Sequence, residues 1–532
     1  MSVAQRSERA GTDASAPPGP AAGVKALAVT EGRRLLRHPV FLGTLLLCVG
    51  LWVYETVVAG SSGFPVLHDE DRMVQNQLLL MAAGTFLAVH LAAIRPARDG
   101  TEGWFLSLVL LPWQRAAALL LAMLPAVLLT AVLAAARIIW LALQPGAAGS
   151  PSLAELAAGP AVVLVAGALA VLLGLLTKSV AAGPITLACL AIITVVGALF
   201  PFESWRWWGF IAVEDELHAA LPSGLLHRPA GQHLLYLLLL GLTFATGALL
   251  RAGLRTPLVR VVLVAGLAGA VVTGTLNARP APGSLATARQ QALEAPSGEQ
   301  SCVKKGELTY CAFPEFLDRH TEWARVSEGI LRRVPGDVRD PRYTVRQHIS
   351  PVSESSLGQT TAPIDAWTED DRKAGTPGAI AVGTAWGDGS DLANDVTGGF
   401  ATAFAARVVT GEPAGSGPQD ALLCGGRSVL TLWLAAQATP QTAPALRSRL
   451  DRSFGGLVGF GTVTTVEAEQ SDVDLAFRLL DLPAAEVGGK AKAHWSELTS
   501  ADTSSTEAAR LLGLDVKGQT DGYGEDSMCG SR

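Results

Sequence analysis

Residues 160–200 read PAVVLVAGALAVLLGLLTKSVAAGPITLACLAIITVVGALF, with Lys178 the only charge in the stretch. A bilayer core takes roughly 20 apolar residues per helix, so this segment is long enough to cross twice. One long buried helix is the competing reading. It would strand Lys178 in mid-membrane, where a cation is costly. A tight turn at Thr177-Lys178-Ser179 is therefore expected, joining spans Pro160–Leu176 and Val180–Phe200. Outward from this pair lie Val40–Ala59, Met73–Ile94 and Ala116–Leu143 before it, and Leu234–Leu250 and Arg260–Leu276 after it. That makes about seven transmembrane helices.

Charge divides the 532 residues in two. Residues 1–276 hold 17 Lys+Arg and 14 Asp+Glu, and residues 277–532 hold 24 and 33. An acidic second half argues against nucleic acid as a partner, because that binding needs a basic face. The expected division is a disordered Ala/Ser/Pro/Gly-rich tail (1–24), a membrane domain (25–276), a linker (277–300) and a soluble α+β domain (301–532). No apolar core follows the early arginines, so targeting is expected to come from the first span rather than a signal peptide.

Basic residues in short loops mark the cytoplasmic side. With the N-terminus inside, the inner segments hold Lys25, Arg33, Arg34, Arg37, Arg95, Arg98, Arg115, Lys178, Arg251 and Arg255. The short outer loops hold only Arg72, Arg206 and Arg228. An odd number of spans then puts the soluble domain outside the cell. Cysteine placement agrees with an oxidising location. Cys302, Cys311, Cys424 and Cys529 all lie in the soluble half, and an even set there suggests two disulfides. Cys302 with Cys311 is the most local pairing, and the connectivity stays open.

Three segments of the membrane half stand out. Thr30-Glu31-Gly32-Arg33-Arg34-Leu35-Leu36-Arg37-His38-Pro39 reads as an interfacial helix ahead of the first span, with ordinary positive flanking as the alternative. Residues 95–115 begin Arg95-Pro96-Ala97-Arg98-Asp99-Gly100-Thr101-Glu102 and close with Leu111-Pro112-Trp113-Gln114-Arg115; Asp99 or Thr101 is placed to cap a short helix. The stretch from Pro201 to Gly231 opens with Phe202, Trp205, Trp207, Trp208 and Phe210, aromatics suited to a membrane interface.

In that order, the three segments resemble the permease subunits of type-2 ATP-binding-cassette (ABC) exporters, especially actinobacterial ones, over roughly residues 25–255. The resemblance implies an elbow helix at 30–39, a coupling segment at 95–115 and short outer re-entrant helices at 201–231. It implies that Arg95, Arg98, Asp99, Thr101, Glu102 and Arg115 meet a separate nucleotide-binding subunit. ATP and Mg would be bound there, since no Gly-x-x-x-x-Gly-Lys-Ser/Thr loop occurs in this chain. A second permease, as a homo- or heterodimer, and membrane lipids are the other implied partners. The chain departs from the six-span pattern by an added span carrying Gly266, Ala270 and Gly274, a small-residue ridge or plain composition.

Among polar residues in the spans, Glu55 and Arg137 are candidates for an ion pair, with independent snorkelling as the alternative. His90 is expected to snorkel. In the soluble half, His320, His348 and His494 form no His-Glu-x-x-His pair, and there is no Gly-x-Ser-x-Gly elbow. Asp388, Asp391 and Asp395 read as turn residues rather than calcium ligands, and Glu214, Asp215, Glu216 and His218 as a solvated face. No catalytic residue, metal or cofactor is expected in this chain. A membrane-anchored sensor or interaction protein is the alternative function, and a surface hydrolase a third.

Overall fold

The computed structural model describes residues 20–57, 63–101, 103, 110–199, 220–340, 343–349, 363–386, 391–413, 422–450, 456–461, 463–516 and 529. Glu102, Glu214, Asp215, Glu216, His218 and Asp388 lie outside them, as do the aromatics at 202–210 and residues 1–19 of the N-terminal tail.

The first half is a helical bundle: α1 (Pro20–Leu36), α2 (Pro39–Val57), α3 (Leu67–Arg98), α4 (Pro112–Ala122), α5 (Leu124–Ala142), α6 (Leu153–Thr177), α7 (Ala182–Leu199), α8 (Ala230–Arg251) and α9 (Pro257–Asn277). Among the described residues, six helical segments are long and apolar enough to cross a membrane: α2, α3, α4 with α5, α6, α8 and α9. The fifth expected span is α7, a shorter apolar helix over the residues whose side chains are described. α4 and α5 are nearly continuous; Pro125, at the start of α5, lacks the N–H that would carry the ladder across Met123. The α6–α7 junction is the tight turn expected. Lys178 ends α6 in the left-handed region, φ 50°, and its N–H donates to the Gly174 carbonyl.

α3 and α6 form the centre of the bundle, and α9 packs on α8 through its small face. There Gly266 and Ala270 are buried, and a Cβ on residue 266 would lie 3.0 Å from Thr243 Oγ1. The outward faces are bare hydrocarbon: Leu46 is 71% exposed, Val57 73% and Val264 65%. Within residues 277–532, no large apolar side chain among the described residues is more exposed than Val338, at 40%. One half of the chain is surfaced for lipid and the other for water.

The second half does not begin with a bare linker. Residues 277–300 contain α10 (Gly283–Glu294) and a 3-10 turn (Pro296–Glu299). Ala292 is fully buried there, and Trp367 Nε1 donates to the Leu293 carbonyl at 2.6 Å. The Pro, Ala and Gly content of the stretch marks its ends, while 283–294 has enough helix formers to fold against the domain.

The soluble domain then adds β1 (Ser301–Lys305), β2 (Leu308–Ala312), α11 (His320–Leu331), β3 (Thr344–His348), α12 (Ile364–Lys373), β4 (Ile380–Gly383) and α13 (Asp391–Thr410). β1 and β2 are an antiparallel hairpin, while β2–β3 and β3–β4 are parallel, with α11 and α12 on the crossovers. This alternation is α/β, not the α+β class expected from sequence. A second sheet has the order β5-β7-β6, from β5 (Leu422–Leu423), β6 (Leu457–Phe460) and β7 (Val466–Glu469). Gly459 and Phe460 close β6 and Val466 opens β7, and Gly461 at φ 133° turns the chain out of β6. α14 (Gly425–Ala436) lies in the middle with Trp433 and Leu434 fully buried. α15 (Thr442–Leu450), α16 (Gln470–Arg478), α17 (Ala484–Ala493), α18 (Trp495–Leu498) and α19 (Ser505–Leu511) complete the domain. Both disulfides are formed, Cys302–Cys311 across the β1–β2 hairpin and Cys424–Cys529.

Candidate functional site

The polar residues of the bundle collect at the two ends of α3, a 32-residue helix that spans about 48 Å at 1.5 Å per residue. One end carries Arg95 and Arg98; the other carries His68, Asp69 and Asp71.

At the arginine end α3 runs further than the apolar pattern implies. Arg95, Pro96, Ala97 and Arg98 are helical rather than loop. Asp99, Gly100 and Thr101 stop that helix, and the short helix expected after them falls on residues 102–109, which lie outside the described residues apart from Gly103. Gly100 sits at φ 64°, its N–H donates to the Ala97 carbonyl at 3.3 Å, and the Thr101 N–H reaches the Pro96 carbonyl at 3.0 Å. This double bond to the last turn is the usual glycine-terminated helix end. Arg98 Nε donates to Asp99 Oδ1 at 2.8 Å on the exposed surface. Arg95 turns inward, donating to both carboxylate oxygens of Glu31 on α1 at 3.0 and 3.2 Å. Arg34 donates to the same carboxylate at 2.8 Å. The chain re-enters at Leu111, whose N–H donates to Gln114 Oε1 at 2.9 Å, and Arg115 Nε donates to the Leu110 carbonyl at 3.2 Å. α1 packs along α4, where a Cβ on residue 32 would meet the Ala122 carbonyl at 3.1 Å. One carboxylate thus ties the end of α3 to α1, and one close helix contact ties α1 to the end of α4. Burial, then the nearby Arg95, lowers the pKa of His38 at the α1–α2 joint, so that imidazole is neutral at pH 7.

Along the bundle, Arg137 and Glu55 lie together. Arg137 donates to Glu55 Oε2 at 3.3 Å and to Thr56 Oγ1 at 3.1 Å. Gln77 Nε2 donates to the other Glu55 oxygen at 2.5 Å, and Trp52 Nε1 donates to Gln77. The guanidinium carbon stacks 4.8 Å from the centre of the Trp140 ring. His90 does not snorkel: it is fully buried and its Nε2 bonds the Ser179 carbonyl of the α6–α7 turn at 3.1 Å.

At the other end the soluble domain is docked on the bundle. Two bundle loops are stitched together first, with a parallel bridge between Val66 and Ala148. Gly146 stands at φ 69°, and a Cβ there would fall 2.0 Å from the Phe64 ring. Arg319 of the domain plugs into this seam. It is 1% exposed and donates to three carbonyls: Phe64 at 2.7 Å, Gly146 at 3.3 Å and Thr384 at 2.6 Å. Burial pulls its pKa down to about 10, so the guanidinium stays charged at neutral pH. Beside it, His68 Nε2 bonds the Leu221 carbonyl at 2.7 Å, and Glu315 accepts from the Ser223 N–H at 3.0 Å. Arg289 Nε donates to the Leu225 carbonyl at 2.7 Å. Arg228 spans Asp71 (3.2 Å) and Asp69 (3.1 Å), and Asp71, wholly buried, also accepts from the Ser152 N–H at 2.7 Å. Apolar residues of both halves close the seam: Ala148, Leu221 and Leu225 against Ala292, Phe313 and Phe316.

Sequence reading missed Glu31, His68, Asp71, Arg228 and Arg319. The run His68-Asp69-Glu70-Asp71-Arg72 just ahead of a span was the available signal, together with Arg228 as an isolated cation before the next one. In the soluble domain His348 is buried against Trp367, with ring centres 4.1 Å apart, and burial followed by Arg346 drives its pKa down to about 3. His320 bonds the Leu317 carbonyl. No group of three metal-ligating side chains occurs among the described residues. Comparison with family models, curated proteins and solved structures gives no match to this chain.

Proposed function

We propose that the chain is the membrane-spanning permease subunit of an ATP-driven export system of the type-2 ABC kind. A separate nucleotide-binding subunit, holding ATP and Mg, energises it through residues 95–115. The observation that carries this reading is α3 itself: one unbroken helix joins the Arg95–Glu31–Arg34 network to the seam where the soluble domain docks. A partner that pushes on the Arg98-Asp99-Gly100-Thr101 end moves a rigid rod rather than a soft loop, and packed helices respond by shear or hinge motion. Arg95, Arg98, Asp99, Thr101, Glu102 and Arg115 form the coupling face, and a second permease completes the pathway.

In this reading the chain crosses the bilayer seven times. α6 ends beside α3's last turns, where Gly174 touches Ala93, and Gly183 of α7 lies against His90. Leu221, before α8, lies at His68. His68 and His90 are about 33 Å apart along α3, so Gly183 and Leu221 lie at opposite ends of the bundle. α7 is the helix available for that crossing. Positive loops at the Arg95 end make that end cytoplasmic, and the soluble domain is then extracellular.

The test is purification of the full chain from its native membranes. The reading expects a co-purifying polypeptide with a phosphate-cradling loop and ATP hydrolysis, lost with Arg98→Ala plus Asp99→Ala. Recovery of the wild-type chain alone, from membranes that contain such subunits, overturns it and favours the membrane-anchored interaction protein.

A further inference from the structure

A crevice of about 520 Å³ opens at the arginine end of the bundle, between α1, α3, α4, α6 and α8. Its polar wall holds four cations, Arg95, Arg115, Lys178 and Arg251, and one carboxylate, Glu31, a net charge of +3. Its remaining wall is hydrocarbon, including Leu27, Leu119 and Leu175. The size is that of a pocket for a small amphiphile. Arg95 and Arg115 are half-buried inside it, and Lys178 and Arg251 are exposed at its mouth. These last two come from different turns, the α6–α7 and α8–α9 junctions. Lys178 is held there by a left-handed backbone, φ 50°, which an L-residue with a long side chain adopts at a cost.

We infer that this crevice binds the phosphate headgroup of an anionic phospholipid from the adjoining leaflet, with an acyl chain along the α4–α6 wall. The charge and the wall each exclude other occupants. A zwitterionic lipid brings no net charge to meet +3. A free phosphate leaves the hydrocarbon wall uncovered. Basic pockets between membrane helices at the cytoplasmic side take such headgroups by the same physics. The occupant bridges α6 and α8 to α3 and α4, so it fixes the spacing of the helices around the crevice. This inference needs no ATPase; it shares Arg95 and Arg115 with the proposed coupling face, and its test uses Lys178 and Arg251, which lie outside that face.

The experiment is native mass spectrometry of the full chain in detergent, titrated with dioleoyl-phosphatidylglycerol or dioleoyl-phosphatidylcholine. The wild type is expected to prefer phosphatidylglycerol at least about thirtyfold, roughly fivefold for each of two or more cations. Lys178→Gln plus Arg251→Gln is expected to cut that preference by about fivefold per cation. The control, Arg255→Gln plus Arg260→Gln, removes the same charge outside the crevice and should leave the preference intact. Circular dichroism melts establish that each variant is folded, and Lys178→Arg should restore binding. Equal binding of the two lipids by the wild type overturns the inference. So does an equal loss in the control, which would mean diffuse attraction to the whole face, or displacement of phosphatidylglycerol by millimolar inorganic phosphate, which would mean a site for a soluble anion.

Discussion

The two ends of α3 treat charge in opposite ways. At the domain end, Asp71 and Arg319 are almost wholly removed from water, and each is met by partners on other segments of the chain. At the arginine end, Arg98 and Asp99 pair with each other in the open, and Lys178 and Arg251 stand exposed around a crevice. Buried and bonded polar groups fix one arrangement, because breaking any of them strands the others. Exposed pairs are worth little and can exchange partners. One end is therefore a joint locked within the chain, and the other a surface left for something else to complete.

The strongest way to break this comparison is Arg319→Ala. It leaves the Phe64, Gly146 and Thr384 carbonyls without their shared donor in a sealed seam, and should cost about 3 kcal/mol. The expected result is faster proteolysis at residues 278–300 and a lower melting temperature in detergent, with Arg319→Lys recovering part of the loss. Asp71→Ala comes next. Arg228 keeps Asp69 but loses its buried partner, so about 2 kcal/mol is expected, read as a drop in the same melting transition. Glu55→Gln should cost less, about 1 kcal/mol, since Gln77 and Thr56 still surround Arg137 and membrane hydrogen bonds average below that figure. Glu31→Gln at the arginine end should cost about 1 kcal/mol as well: Glu31 is buried, but its Arg34 and Arg95 partners reach solvent. Transport assayed in cells should nevertheless fall sharply with it, because Arg95 and Arg34 lose the carboxylate that ties α1 to α3. If Glu31→Gln destabilised the chain as much as Arg319→Ala, the contrast between the two ends would be void.

How much of this the sequence discloses follows from how local each feature is. The apolar spans are legible because length and composition alone decide them. The turn at Lys178 is legible because one cation in 41 residues has no good place but an interface. The Cys302–Cys311 bridge is legible as the nearest pair. The full length of α3 was not, because its first and last turns are charged and drop out of an apolar count. The way α3 ends at Asp99 and Thr101 was hidden for a related reason. Both residue types occur at helix starts and in the turns after helices, and it is Gly100 in the left-handed region that marks the end of α3. The α/β order of the soluble domain was hidden by strands of four or five residues, too short for alternation to register. The domain seam was least accessible, because Phe64 and Arg319 lie 255 residues apart.

The central claim, that the arginine end receives a nucleotide-binding subunit, is tested most directly by a photoreactive amino acid placed at Asp99 in the living cell. The account predicts a covalent adduct to a cytoplasmic polypeptide carrying a Gly-x-x-x-x-Gly-Lys-Ser/Thr loop, and none from the same probe at Glu307 in the soluble domain. Labelling of an Asp99→Cys variant by a membrane-impermeant maleimide added outside intact cells would contradict it.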